Sequence, residues 1–200
     1  MPMEFWTARL DRPLTETERQ AMCSLLPPER RERLLRMRDA ERQREPLCAY
    51  FLLCMALWKR EGWRKLPEIA LSSSGKPYFP EYPGIHFNLS HTKGAVLAGV
   101  SDEPLGVDIE RIRPEGRRMM QRLVQVETEE AFFQSWVRLE ARSKRSGKGI
   151  GSMKEEPLQE GEFYYPLDTF PGYAAGVSTR SPETPGALHR YSLDDMQNAL

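Results

Sequence analysis

The stretch "MEFWTARLD" alternates apolar and polar positions closely enough to predict a first strand, and "LTETERQAMCSLL" follows with helical spacing and Thr15 placed to cap it. Next, "LPPERRERLLRMRDAERQRE" predicts a basic helical segment, with Pro28 suited to its first turn. The run "LCAYFLLCMALW", Leu47 to Trp58, is apolar on every side, which predicts a buried helix rather than a surface one. It is too short to span a bilayer. A stretch of Gly, Pro and Ser, "SSSGKPYFPEYPG", then predicts a loop with several turns.

A hairpin is predicted for "IHFNLSHTKGAVLAGVS". Ile85, Phe87 and Leu89 point one way, His86, Asn88 and Ser90 the other, and "TKG" makes the turn. "EPLGVDIERI" gives a third strand, which "RIRPEGRR" breaks. From about Glu129 to Arg145 the spacing predicts a helix with Thr128 as cap, Glu129 and Glu130 at its N-terminus, and Gly147 ending it. "EFYYPLDTFPGYAAGVS" reads as short strands with a Pro-Gly turn, followed by a polar tail expected to be partly disordered.

Composition narrows the function. A chain of 200 residues can bury a substantial core as one compact domain or as two small lobes. Its 29 basic and 29 acidic residues cancel, so no global field recruits nucleic acid or an anionic membrane. The seven arginines between Arg30 and Arg44 are interleaved with or flanked by five acidic residues of the same segment, the pattern of a solvated helical face as much as of a binding surface. Three cysteines without metal-like spacing, and no signal-peptide pattern, favour reduced structural thiols and a cytoplasmic location.

The candidate chemistry centres on "GVDIE". Positions two apart in a strand share a face, so Asp108 and Glu110 project together while Val107 and Ile109 enter the core. Two adjacent carboxylates need a cation, either an arginine such as Arg111 or Arg113 or a divalent metal, although an acidic edge strand would show the same letters. Glu140 and Lys144, four apart in the predicted helix, read by themselves as an exposed salt bridge. If that helix packs beside the strand, Glu140 joins Asp108 and Glu110 in an oxygen cluster suited to Mg²⁺ and a phosphate substrate. Lys76, Lys144, the basic segment and His91 are cations and donors for such phosphates. Neither a Walker-type loop nor a Gly-rich dinucleotide fingerprint is present in the sequence.

"GKPYFPEYPGIHFNLSHT", "PLGVDIERI" and "FFQSWVRLEARSKRSGKGI" follow one another in the order and spacing of the 4′-phosphopantetheinyl transferase superfamily, and the chain resembles its Sfp-type branch. The motifs span about Gly75 to Ile150, the basic segment upstream also resembles that family, and the last fifty residues match it loosely. The resemblance implies an α+β fold of two similar lobes related by a pseudo-twofold, residues 1–103 and 104–200, with the active site in the cleft between them. It implies an enzyme that moves the 4′-phosphopantetheine arm of coenzyme A onto a serine of an apo acyl or peptidyl carrier protein, with Mg²⁺, or alternatively Mn²⁺, and releases adenosine 3′,5′-bisphosphate. On the family's motifs, Asp108, Glu110 and Glu140 hold the metal, Glu140 is the candidate base, and Lys144 contacts the pyrophosphate. Lys76, Pro77, Ser90, His91, Arg30 and Arg42 fall where coenzyme A is bound. A cytoplasmic monomer with no nucleic-acid or membrane partner is expected.

Two departures stand out. The family helix reads W-x-x-K-E-A, whereas this chain has "WVRLEA", with Leu139 at the lysine position. The neighbouring Arg138 points about 100° away from that position on a helix. The stretch from Pro114 to Glu129 is also short, and lies where the family forms part of its carrier surface. An alternative reading is therefore a coenzyme A- or carrier-binding module with reduced or lost turnover.

Overall fold

The computed structural model describes residues 3–37, 39–114, 126–148 and 158–199. Strand β1, Glu4–Arg9, lies between β5, Ala95–Ser101, running antiparallel to it, and β9, Leu188–Ser192, running parallel. Beyond β5, β4 (His86–Thr92) completes a four-stranded sheet in the order β4-β5-β1-β9. Both faces of β1 are covered. Trp6 and Ala8 pack on the helical side and Phe5 on the opposite side, which is why the strand is more uniformly apolar than a half-exposed one. Thr7, buried between them, donates Oγ1 to the Val96 carbonyl at 2.8 Å.

Three helices cover the first face. Helix α1, Glu16–Ser24, starts at Thr15, whose hydroxyl receives the Glu18 N–H while the Glu18 carboxylate receives the Thr15 N–H. Helix α2 is Pro28–Leu35 and α3 is Ala40–Glu61. The basic segment is thus interrupted, and its second half is continuous with the buried apolar run in one 22-residue helix. Asp39 explains the restart: its carboxylate accepts from the Glu41 N–H at 2.9 Å and opens α3. Gly62, at φ 75°, closes the helix in the left-handed region.

The second sheet has the order β6-β8-β7, with β6 Gly106–Arg111, β7 Phe163–Pro166 and β8 Tyr173–Thr179. The odd positions of β6, Val107 and Ile109, are fully buried against Phe5 and Leu97 of the first sheet, worth roughly 1.5–3 kcal/mol each. The sheets meet closely because residue 99 is glycine. A Cβ there would come within 2.8 Å of Leu105 Cδ1 and 2.9 Å of Val107 Cγ1. The even positions, Gly106, Asp108 and Glu110, face α4, Glu129–Ser146, whose Phe132, Phe133 and Val137 cluster with Ala174 of β8. Gly106 lets α4 in, since a Cβ would overlap the Ala141 carbonyl and the Arg145 amide. The layers run helix, sheet, sheet, helix, an α+β arrangement.

A buried ion cluster pins α4 to the second sheet. Arg142 donates Nε and Nη2 to Glu162 at 3.0 and 2.9 Å, and Arg145 donates Nη2 to Glu162 at 2.9 Å and Nε to Ser178 at 3.0 Å. Burial by itself would raise the Glu162 carboxyl. The bonds from Arg142, the Gln159 N–H and Arg145 override it and hold the group at about 2.

Two sequence expectations change. The loop "SSSGKPY" carries a two-residue ladder, β2 Ala70–Leu71 with β3 Pro77–Tyr78, around Gly75 at φ 80°. The polar tail is ordered as far as residue 199. It forms β9 on β1 and then α5, Leu193–Gln197, whose Leu193 and Met196 are buried in the first core. Its local sequence is polar because, of its side chains, only Leu193 and Met196 are fully buried, with Leu188, Tyr191 and Ala199 packed partly against the cores. No described helix is long and apolar enough to cross a membrane.

Candidate active site

Among the described residues, the outer edge of β6 is not paired by another strand's backbone, and β4 supplies side chains in its place. The alternation that sends Phe87 and Leu89 into the core turns Asn88, Ser90 and Thr92 towards β6. Asn88 Oδ1 accepts the Val107 N–H at 2.8 Å, Ser90 Oγ the Ile109 N–H at 3.2 Å, and Thr92 Oγ1 the Arg111 N–H at 3.4 Å. Two of these hydroxyls also donate: Ser90 to Asp108 Oδ1 at 2.7 Å, and Thr92 to Glu110 Oε2 at 3.0 Å. The seam between the sheets thereby orients both carboxylates.

Lys144 reaches the same point from α4. Its Nζ is 2.6 Å from Asp108 Oδ1 and 2.9 Å from Ser90 Oγ, so its ammonium is directed to Asp108 rather than forming the i,i+4 pair with Glu140 that the spacing allowed. Asp108 Oδ2 is buried and has no hydrogen-bond partner among the described residues. Burial first, and the Asp108 charge second, raise the carboxyl pKa values of Glu110 and Glu140; for Glu140, Glu110 adds to this and Lys144 opposes it. Arg113 reaches Glu110 Oε2 at 3.3 Å. Among the described residues, no three His, Cys, Asp or Glu side chains stand together at metal-ligating spacing.

A cleft of about 1600 Å³ opens beside this cluster, lined among others by Arg30, Arg42, Lys76, Pro77, His91 and Lys144. The three carboxylates lie outside its lining, behind Lys144 and Thr92. Arg30 is largely buried, with Nη2 at 3.4 Å from the Ile69 carbonyl, whereas Arg42 is exposed and 3.5 Å from Asp39. Lys76 turns inward and donates to the Leu105 and Arg145 carbonyls at 2.9 and 3.2 Å. Burial, then the charge of Arg145, lowers its pKa to about 8. His91 stands exposed at the rim, its pKa lowered by partial burial of the ring and then by Lys144.

Sequence reasoning had placed Thr92 in the turn and gave Asn88 no role. Both belong to the seam, and the period-two pattern continued through Thr92 was the signal for them. Leu139, at the position where the resemblance expects lysine, is buried. The Arg138 guanidinium lies 6.0 Å from the centroid of the Tyr164 ring. Of the short stretch after Pro114, residues 115–125 lie outside the described residues, as do residues 149–150 at the end of the helix motif.

No family model matches the chain. Several curated proteins do. The chain is 25 % identical to the 4′-phosphopantetheinyl transferase Sfp of Bacillus subtilis (strain 168) over 224 residues, covering 97 % of this chain and all of that one. It is 26 % identical over 211 residues to the 4′-phosphopantetheinyl transferase ffp of Bacillus subtilis, covering 96 % and 88 %. With the 4′-phosphopantetheinyl transferase psf-1 of Bacillus pumilus it shares 34 % identity over 157 residues, 64 % of this chain and 66 % of that one.

Proposed function

The chain belongs to the 4′-phosphopantetheinyl transferase family, and on that premise we propose that it transfers the 4′-phosphopantetheine arm of coenzyme A to a serine of an apo carrier protein, releasing adenosine 3′,5′-bisphosphate. The observation that carries this reading is the convergence of Ser90, Asp108 and Lys144, one from each of three separate sequence motifs, within 3 Å of one another.

Asp108, Glu110 and Glu140 would hold a divalent cation, Mg²⁺ or Mn²⁺. The three side chains do not stand at metal-ligating spacing, but the chemistry of the donor set suits a cation: the oxygens are hard ligands, and Asp108 Oδ2 is buried without a partner among the described residues. Bound there, the cation supplies charge neutralisation on the pyrophosphate and orients it for in-line attack.

The protein's own groups do the rest. Glu140, directly or through a water, accepts the carrier serine proton; as a ligand of the cation it is a weak base and acts mainly by orienting the serine. The serine oxygen forms a bond to the β-phosphorus of coenzyme A as the bond to the α-phosphate oxygen breaks. Lys144 donates to the departing phosphate, whose negative charge its ammonium stabilises. His91, Arg30, Arg42, Lys76 and Pro77 bind coenzyme A along the cleft, and Ser90, buried in the seam outside its lining, contributes by holding Asp108 and Lys144. In this reading the cleft lies between two lobes, residues 1–103 and 104–200, related by a pseudo-twofold, with Leu188–Gln197 returning to the first sheet. The enzyme works as a cytoplasmic monomer, consistent with three buried free thiols, and needs no nucleic acid or membrane.

Burial of Leu139 at a family lysine position favours one alternative, a coenzyme A- or carrier-binding module without turnover. Intact-mass spectrometry decides between them. Apo carrier proteins incubated with the protein, coenzyme A and Mg²⁺ should gain one phosphopantetheine, and EDTA should prevent it. Coenzyme A binding with no gain on any carrier would select the alternative.

A further inference from the structure

Asp108 and Gly176 are directly opposed in the β6–β8 ladder. Opposed residues of antiparallel strands carry their Cβ atoms about 4.5–5.5 Å apart, which makes them the closest side-chain neighbours across a sheet. Gly176 has no side chain, and Tyr164 fills its place. A Cβ on Gly176 would overlap the Tyr164 hydroxyl and come within 2.6 Å of its Cζ and 2.7 Å of its Cε2. The phenol, reaching over β8 from β7, is therefore the cross-strand neighbour that Asp108 would otherwise lack.

Asp108 has a use for one. Its Oδ1 takes both the Ser90 hydroxyl and the Lys144 ammonium, while Oδ2 is buried with no hydrogen-bond partner among the described residues. A buried carboxylate oxygen left unmatched is destabilising, which calls for a donor to it. Burial first, and the Asp108 charge second, raise the Tyr164 pKa, with Arg138 opposing. A phenol ionises only at about pH 10, so at neutral pH it carries its proton and is a donor.

We propose that Tyr164 is a positioning residue for Asp108: its hydroxyl donates through one water to Asp108 Oδ2 and holds that oxygen in the orientation that takes a divalent cation. The link runs through water because no donor among the described residues, Tyr164 included, lies within hydrogen-bond distance of Oδ2. This inference rests on reading Asp108, Glu110 and Glu140 as the cation site. It requires the hydroxyl of Tyr164, whereas mere filling of the gap above Gly176 requires only the ring.

Tyr164→Phe separates the two. Mn²⁺ affinity of the full chain is measured by electron paramagnetic resonance, together with a double-mutant cycle of Tyr164→Phe and Asp108→Asn in metal-free urea denaturation. Tyr164→Phe is expected to weaken Mn²⁺ binding roughly tenfold. It should raise the KM for the cation while leaving coenzyme A affinity in EDTA unchanged. The unfolding constants of the cycle should depart from additivity by about threefold or more. Mn²⁺ affinity within about twofold of wild type, or an additive cycle, overturns the assignment. A wild-type protein that binds no Mn²⁺ overturns the cation reading and the positioning role with it, an outcome distinct from wild type and Tyr164→Phe binding equally well.

Discussion

The Ser90 hydroxyl donates to Asp108 Oδ1 at 2.7 Å and at the same time accepts the backbone N–H of Ile109, the residue next to that carboxylate. One side chain thus fixes both the strand and the acid it carries. Thr92 repeats the arrangement with Glu110 and the Arg111 N–H, and Asn88 takes the Val107 N–H, so the two sheets are joined by a row of side-chain oxygens where a continuous backbone ladder would have placed no chemistry.

Removing Ser90 should therefore loosen the seam. Ser90→Ala leaves the buried Ile109 N–H without an acceptor, at a cost of about 1–3 kcal/mol. For a chain of this length that corresponds to a fall of roughly 2–12 °C in Tm. Calorimetry reads the result, and an unchanged Tm would show that the seam is held by apolar packing alone.

Asp108→Asn keeps the shape of the side chain and removes its charge. Transfer activity should fall by about two orders of magnitude or more, the loss expected when a principal electrostatic group is removed. Tm should change little, because the Lys144 side chain is partly exposed and can be solvated. Carrier modification followed by mass spectrometry checks the first part and thermal melting the second. Turnover close to wild type would sink Asp108 as a cation ligand.

Gly106→Ala tests how α4 is seated. Its new Cβ overlaps the Ala141 carbonyl and the Arg145 amide, both backbone atoms that cannot rotate away. The helix must move, taking Glu140 and Lys144 with it. A loss of on the order of 3 kcal/mol and of most activity is expected. Normal melting with normal turnover would mean that α4 can shift without disturbing the site.

Glu162 gives a pH signature. Its carboxyl is held at about 2, below the ordinary value of 4.5, so its contribution is fully present above the ordinary value and is lost as pH falls towards 2. Glu162→Gln removes one side of a buried cluster with Arg142 and Arg145, and Tm near neutrality should fall on the order of 10 °C. The gap between wild type and variant should then narrow as the pH drops through that window. A gap that stays constant down to about pH 3 would assign the effect to packing instead of charge.

The period-two spacing of Ile85, Phe87 and Leu89 was enough to predict β4 and its outward face, and Asp108 with Glu110 announced a shared direction on β6. Local rules made these legible because each depends only on alternation within a few residues. Other features depend on partners far away in sequence. The tail around Leu188–Ser192 is polar and short, and it becomes a strand only because β1 offers a free edge. Lys76 looked like a free loop cation, yet it is drawn to the Leu105 and Arg145 carbonyls at the base of the cleft. Nothing in "EFYYP" distinguishes Tyr164 from its neighbours, because its placement follows from a glycine twelve residues further on and from the register of three strands.

The parallel pairing of β9 with β1 sets an order for synthesis. Strand β1 leaves the ribosome first, but the edge it presents to β9 stays open until residues 188–192 have been translated. The first sheet is therefore finished last, after every group of the candidate site has already emerged. A nascent chain stalled before that point would expose β1 as an unpaired edge, a template for other chains and a natural target for chaperones.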